Sequence, residues 1–165
     1  MDIKQLLKYS LFHNLTEGEA TKFIKIIGNK KYKSNEIIIC ENDVGDSIML
    51  LLDGIITISK SLTIKIDQLE QPEKEFIKLN ANQYPFFGEI SLFNENDRRT
   101  ATITADTSCE IGILSYKDIL KIFADHPNIG YLMIRNIAKK LSEDLKQTNK
   151  QILKLTTLFS LILDK

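Results

Sequence analysis

The chain has 165 residues, of which 43% are hydrophobic, so it is long enough to bury the core of one domain and is not disordered by composition. Its 22 basic residues balance 22 acidic ones, which leaves a formal net charge of zero and no global positive field to attract a polyanion. Nucleic acid is therefore not an expected partner.

The sequence predicts neither a signal peptide nor a membrane span. The first twenty residues mix charged and apolar side chains and lack the uninterrupted apolar run of a signal peptide. The longest apolar stretch, residues 152–163, is about twelve residues long and contains Lys154, so it is too short and too polar for a membrane span. We expect a cytoplasmic protein with no membrane partner.

The first predicted element is a short helix. Thr16 and Glu19 have the spacing of a capping box ahead of apolar residues at positions 23, 24, 26 and 27, and Gly28-Asn29 is expected to close the helix. Cys40 and Cys109 follow in apolar, strand-like segments, which favours buried free thiols over a disulfide.

From Lys31 onward, short β-branched runs alternate with turn residues, and this pattern is typical of an antiparallel β-barrel or jelly roll. Asp53-Gly54 predicts a tight hairpin. The polar stretch Gln68–Glu75, which contains Pro72, is expected to form an exposed hairpin tip. The predicted strands are Glu36–Cys40, Ile48–Leu52, Ile55–Ser59, Phe76–Leu79, Thr100–Thr104 and Glu110–Leu114.

Two helices are predicted at the C-terminal end. Ser115 caps a short helix that runs to about Ala124 and that His126-Pro127 ends. Pro127 suits the first turn of a long second helix. We therefore divide the chain into a helical preface with a β-barrel, residues 1–125, and a C-terminal helix, residues 126–165.

Apolar residues recur along the long helix at steps of three and four, and Thr148 fills one step, which is the spacing of a heptad seam. Such a seam requires a partner, so we expect a homodimer through this helix or contact with a separate effector protein. The alternative is that residues 152–163 fold back on their own barrel. The apolar seam residues are Ile134, Ile137, Leu141, Leu145, Ile152, Leu155, Phe159 and Ile162.

The candidate chemistry lies between Phe87 and Ala105. Only three of the 22 basic residues are arginine, and two of these, Arg98 and Arg99, are adjacent in the polar loop NENDRR. A guanidinium binds phosphate oxygens bidentately and stays charged, which lysine does not match in geometry. Just upstream, Phe87-Gly88-Glu89 leads into one predicted helical turn, whose free N–H groups favour an anion.

Gly88 and Glu89 suggest a second kind of contact. A glycine lets a ligand approach the backbone closely, while a carboxylate would repel a bare phosphate and better accepts hydrogen bonds from a neutral diol such as a ribose. An anion site beside a diol site describes a sugar phosphate. Taken alone, each segment also fits an ordinary turn or a solvated loop.

The stretch FGEISLFNENDRRTATITA resembles the phosphate-binding cassette of the cyclic nucleotide-binding domain family, and ENDVGDSIMLLLDGIITI upstream is similar to the paired glycine turns of that family. The resemblance covers roughly residues 11–145. It implies a cAMP sensor, with cGMP as the alternative ligand, that converts binding into movement of the C-terminal helix. No catalytic residue, metal or cofactor is expected.

The resemblance also implies roles for individual residues. The backbone amides of Gly88 and Glu89 would face the cyclic phosphate, the Glu89 carboxylate would bind the ribose 2′-hydroxyl, and Arg99 would bind an equatorial phosphate oxygen. Thr100 and Ala101 would add donors, whereas Arg98 is assigned no primary role. The complete expected ligand-binding set is Phe87, Gly88, Glu89, Ile90, Arg99, Thr100 and Ala101.

The base-binding side is less well matched. Aligning HPNIGYLMIRNIAKKL without a gap to the family's final helix places Asp144 and Leu145 at the positions that face the base. Asn42 stands where the family usually has a glycine, which is tolerable because asparagine adopts positive φ. The segment 82–86 before the cassette lacks the usual glycine and acid.

The sequence supports two alternative functions less well. The first is a degenerate domain that keeps the fold, binds no nucleotide and acts as a protein–protein interaction module; intact Arg99 and Glu89 argue against it. The second is a cupin-like metalloenzyme, which needs clustered histidines, whereas His13 and His126 both lie outside the predicted strands. Because the sequence ends at Lys165 without a helix-turn-helix, a transcription factor is not expected.

Overall fold

The computed structural model describes residues 1–61, 73–93 and 97–163. The strands are β1 (Gly28–Tyr32), β2 (Ile37–Ile39), β3 (Ser47–Asp53), β4 (Ile55–Ser61), β5 (Glu73–Asn80), β6 (Phe86–Phe87), β7 (Thr102–Ala105) and β8 (Cys109–Ser115). The α-helices are α1 (Ile3–Leu6), α2 (Glu17–Ile24), α3 (Tyr116–Asp125) and α4 (Pro127–Leu163). Short 3-10 helices span Ser10–Phe12, Ala81–Gln83 and Glu89–Leu92.

The strands form two four-stranded antiparallel sheets, ordered β1-β8-β3-β6 and β2-β7-β4-β5. This jelly-roll-like pair of sheets, with helices at both ends of the chain, confirms the predicted fold class, although the sheets do not close into one barrel. Of the predicted hairpin tip, residues 68–72 lie outside the described part of the chain, and Glu73–Glu75 belong to β5.

Strand β3 explains how the two layers are joined. Ile48 and Leu50 pack into a core shared with the helices, while Met49 and Leu51 pack into a second core that contains residues of both sheets. Because alternate residues of a strand point to opposite faces, a strand covered on both faces reads as a continuous apolar run, as this one does.

The prediction of a hairpin at Asp53-Gly54 is wrong. Gly54 does adopt a left-handed turn, with φ +95°, and a Cβ there would lie 2.5 Å from the Ser108 carbonyl oxygen. However, β3 pairs with β6 and β8, whereas β4 pairs with β5 and β7. The turn therefore passes the chain from one sheet to the other, and local turn chemistry does not reveal which strands pair.

The sequence pattern does not predict strands β1 and β6. The first long helix, α2, also ends earlier than the sequence predicts. Helix α2 stops at Ile24, and Gly28-Asn29 begin β1 instead of closing the helix. Most of β1 is polar and exposed, so it lacks the apolar alternation that marks a half-buried strand. Cys109 is buried and free as expected, but Cys40 is exposed, because β2 ends at Ile39 and leaves it beyond the ladder.

The predicted helix starts are confirmed. Both hydrogen bonds of the Thr16–Glu19 capping box are present, the Ser115 hydroxyl accepts from the Asp118 N–H, and α4 begins at Pro127. The first turns of α4 bury Ile129 and Met133 in the core shared with the N-terminal helices. Residues 1–125 thus pack directly against the beginning of the long helix.

From Ser142 to Leu163, α4 is exposed. Residues 152–163 continue the helix with every side chain exposed, so the fold-back alternative is wrong. Ile137 is fully buried in the core of its own domain, which removes it from the predicted seam. Within the described residues, no helix has the length and apolar character needed to cross a membrane.

Candidate functional site

A cavity of about 1100 Å³ lies between the second sheet and α4. Its apolar floor includes Ile58, Leu79 and Ile103. One side, which we call the cassette wall, consists of residues 86–91 and 99–101, and the opposite side, the helix wall, consists of α4 residues between 135 and 151. The fold therefore places the predicted cassette against the long helix across a single cavity.

The predicted site residues meet at this cavity with one exception. On the helix wall, Asp144 lines the cavity, whereas Leu145 is 61% exposed and lies outside the described lining residues. On the opposite side, the lining includes Phe87, Gly88, Glu89, Ile90, Arg99, Thr100 and Ala101.

Gly88 lets the cassette fold around Arg99. It has φ +88° and precedes the 3-10 helix Glu89–Leu92. A Cβ at this position would lie 2.5 Å from Arg99 Nη1 and 2.8 Å from the Ser47 carbonyl oxygen. Both the left-handed backbone and the close approach require glycine.

Arg99 is 6% exposed and is held by backbone carbonyls. Its Nη1 donates to the Gly88 carbonyl at 3.1 Å, and its Nη2 donates to the Ser47 carbonyl at 3.0 Å and to Ser47 Oγ at 3.2 Å. The Asp46 carboxylate lies 3.7 Å from Nη2. These contacts fix a buried positive charge at the cavity surface. The guanidinium can there bind an anion, which would share its N–H donors with the backbone carbonyls.

Tyr116 adds a contact that sequence reasoning missed. Its hydroxyl donates to the Gly88 carbonyl and accepts from Arg99 Nη1 at 3.3 Å. Burial raises the pKa of Tyr116, partly offset by the nearby Arg99 charge, so the phenol remains a donor at neutral pH. The tyrosine follows the cap residue Ser115, and only its helix-start position was apparent from the sequence.

Glu89 pairs with Lys140 of the helix wall, a second contact absent from the sequence prediction. Glu89 is 2% exposed, and Lys140 Nζ lies 2.6 Å from its Oε1 and 2.9 Å from Asp144 Oδ2. Lys140 Nζ also lies 5.3 Å from the centroid of the Phe86 ring. Burial disfavours the charged ammonium, but the two carboxylates outweigh it and raise the pKa of Lys140.

The side chain of Arg98 lies in a different environment from that of Arg99. It is exposed, and its Nη1 donates to the Asn42 carbonyl at 2.6 Å. Asn42 has φ +72°, the positive φ expected of an asparagine in a glycine position. Arg98 thus supports the turn beside the cassette and is not among the described residues that line the cavity.

A jelly roll with a buried arginine and a glycine-started helical turn facing one cavity defines a small-ligand-binding domain. The model of the cyclic nucleotide-binding domain matches residues 29–126. The chain belongs to this family.

Two relatives illustrate the range of similar proteins. The cAMP-activated global transcriptional regulator CRP of Pasteurella multocida is 29% identical over 122 residues, which are 74% of this chain and 53% of that protein. A cGMP-dependent protein kinase of Caenorhabditis briggsae is 27% identical over 124 residues, 74% of this chain and 16% of the kinase. The chain thus spans about half the length of the CRP relatives it matches.

A solved structure supports the fold. The cyclic nucleotide-binding domain from Methylobacillus flagellatus superposes with a TM-score of 0.77 at 17% identity, over 92% of this chain and 82% of that chain.

Proposed function

We propose that this chain is a cytoplasmic regulatory domain that binds a cyclic mononucleotide and catalyses no reaction. The observation that carries the proposal is the juxtaposition, at one cavity, of the Arg99 guanidinium and the Glu89 carboxylate. The guanidinium suits an anionic phosphate and the carboxylate accepts from ribose hydroxyls, so the pair matches the two ends of a sugar phosphate.

The proposed ligand is cAMP, with cGMP as the alternative. The printed names of the relatives include both a cAMP-activated regulator and a cGMP-dependent kinase, so the family alone leaves the base open. We favour cAMP because the bacterial regulators match this chain at 29% identity over 111 residues.

The proposed mechanism uses the contact between the two walls. Lys140 joins the buried Glu89 to α4, and the ribose hydroxyls of a ligand would compete for the same carboxylate. Hydrogen bonds to charged groups contribute about 1.5 to 3 kcal/mol each, so a few that form in only one state suffice to bias two helix positions. Ligand binding then changes how α4 packs against the cassette wall.

The proposed partner is a second copy of the chain, joined through the exposed part of α4, with a separate effector protein as the alternative. From Leu145 onward, exposed seam residues alternate at steps of three and four, the period of a two-stranded coiled coil. These residues are Leu145, Thr148, Ile152, Leu155, Phe159 and Ile162.

Light scattering tests the dimer. We expect Phe159→Asp to yield a monomer, because a charge within the seam would be buried without a partner. Leu153→Asp is the matched control, since Leu153 is equally exposed but lies off the seam. A wild-type monomer with and without ligand would exclude the dimer.

Calorimetric titration of the full chain with cAMP, cGMP and 5′-AMP tests the binding function. We expect both cyclic nucleotides to bind, cAMP more tightly, and the linear nucleotide to bind poorly because its phosphate carries an extra charge and a different shape. If no cyclic nucleotide binds, the chain is instead the degenerate interaction module.

A further inference from the structure

Tyr116 is held rigidly beside the anion site. Its backbone N–H donates to the Asp46 carbonyl at 2.8 Å, and it is the first residue of α3. The cap residue Ser115 fixes this turn from both directions, since its hydroxyl accepts from the Asp118 N–H at 3.1 Å and donates to Asp118 Oδ2 at 2.7 Å. The phenol therefore projects from an anchored helix start.

The Tyr116 hydroxyl joins two parts of the anion site without belonging to the cavity surface. It donates to the Gly88 carbonyl and accepts from Arg99 Nη1. Gly88 and Arg99 both line the cavity, whereas Tyr116 is not among the described lining residues. Any effect of this hydroxyl on a ligand must therefore pass through the groups that it holds.

The geometry of the peptide bond shows which group the Tyr116 hydroxyl holds in place. In a trans peptide the C=O and the following N–H point in opposite directions. The Gly88 carbonyl receives hydrogen bonds from Tyr116 and Arg99, so the Glu89 N–H of the same peptide points away from both donors. Fixing the carbonyl thus fixes the direction of the Glu89 amide, which the family resemblance assigns to the phosphate.

A ligand affects the two groups that donate to the Gly88 carbonyl differently. An incoming phosphate competes for the Arg99 guanidinium, whereas Tyr116 is not among the described residues that line the cavity. The Tyr116 hydroxyl therefore continues to donate to the Gly88 carbonyl and keeps the peptide oriented. Arg99 can meanwhile donate some of its hydrogen bonds to the ligand.

We propose that Tyr116 is a positioning residue for phosphate binding, which orients the Glu89 amide and the Arg99 guanidinium as one unit. This role rests on the proposed nucleotide-binding function. It distinguishes Tyr116 from a residue that merely fills space, because the hydroxyl and not the ring carries it.

The test compares Tyr116→Phe with Tyr9→Phe in the full chain. Tyr9 is the matched control, because its buried hydroxyl also donates to a backbone carbonyl, that of Leu51 at 2.7 Å, and it is not among the described lining residues. Loss of a hydrogen bond coupled to a charged group predicts about tenfold weaker cAMP binding for Tyr116→Phe. Tyr9→Phe should lower the melting temperature and leave the affinity unchanged.

The two phosphorothioate diastereomers of cAMP, each with sulfur in place of one exocyclic phosphate oxygen, provide a second readout. We expect Tyr116→Phe to change the ratio of their affinities and Tyr9→Phe to preserve it, because only a positioning role acts on particular phosphate oxygens. Unchanged cAMP affinity, or a loss with an unchanged ratio, overturns the role of Tyr116 while the proposed function stands. If the wild-type chain binds no cyclic nucleotide, both proposals fail.

Discussion

The cassette wall and the helix wall of the cavity are built differently. On the cassette wall, Arg99 is 6% exposed and is held by two backbone carbonyls, by Ser47 Oγ and by the Tyr116 hydroxyl. On the helix wall, the link to the cassette is the flexible side chain of Lys140, which is 30% exposed. One wall is preorganised, and the other is joined to it through an ammonium on a flexible four-carbon stem.

This difference indicates a division of labour. A preorganised donor set binds without first having to be ordered, so the cassette wall should supply most of the affinity. A link that the ligand can displace is better suited to change state on binding, so the helix wall should supply the response. Substitutions on the two walls should therefore differ in size and in sign.

The largest expected effect is that of Arg99→Ala. Loss of charge-assisted bonds to phosphate of about 1.5 to 3 kcal/mol each predicts about a hundredfold or greater loss of cAMP affinity by calorimetry. Arg98→Ala is the matched control and should leave the affinity nearly unchanged, because Arg98 bonds the Asn42 carbonyl outside the cavity. Equal effects of the two substitutions would contradict the assignment of Arg99.

Glu89→Gln should produce a smaller loss. Replacing a charged acceptor by a neutral one weakens a hydrogen bond to the ribose 2′-hydroxyl, which predicts about tenfold weaker cAMP binding. The same substitution should not matter for 2′-deoxy-cAMP, which lacks that hydroxyl. If Glu89→Gln weakens both nucleotides equally, the carboxylate does not bind the 2′-hydroxyl.

How much the sequence reveals also differs between the walls. Gly88, Glu89 and Arg99 lie within one short segment whose turn, helix start and paired arginines are local features. Lys140 is 51 positions from Glu89, and Ser47 is 52 positions from Arg99, so their contacts depend on the tertiary fold. No local pattern marks such residues as part of the site.

The fold follows the same rule. The buried strands β3 and β8 were predicted because their apolar side chains leave a clear pattern, whereas β1 is a polar strand at a sheet edge and β6 is only two residues long. The turn at Asp53-Gly54 was located correctly, but the pairing of its flanking strands depends on partners distant in sequence.

On the helix wall, Lys140→Met should change the affinity less and in the opposite direction. The substitution leaves the buried Glu89 without its cationic partner in the free protein. We expect denaturant unfolding to show a free energy of unfolding that is lower by about 1 to 3 kcal/mol. A ribose that satisfies the freed carboxylate should then bind about threefold more tightly. Lys146→Met is the matched control, because Lys146 is exposed on the same helix and is not among the described lining residues; it should change neither quantity.

The outcome for Lys140 separates two roles. Tighter binding together with lower stability would support a link that competes with the ligand. A loss of affinity similar to that of Arg99→Ala would instead make Lys140 a direct phosphate contact, and the contrast between the walls would fail.

The smallest effect is expected for Asp144→Ala. The Asp144 side chain is 56% exposed and pairs with Lys140 one turn earlier, an interaction worth about 0.3 to 0.5 kcal/mol, so cAMP affinity should change less than about twofold. The informative measurement is the ratio of cAMP to cGMP affinity, because a carboxylate that accepts from the base would bind adenine and guanine differently. A tenfold change in this ratio would make Asp144 a base-reading residue and give the helix wall a share in recognition as well as in response.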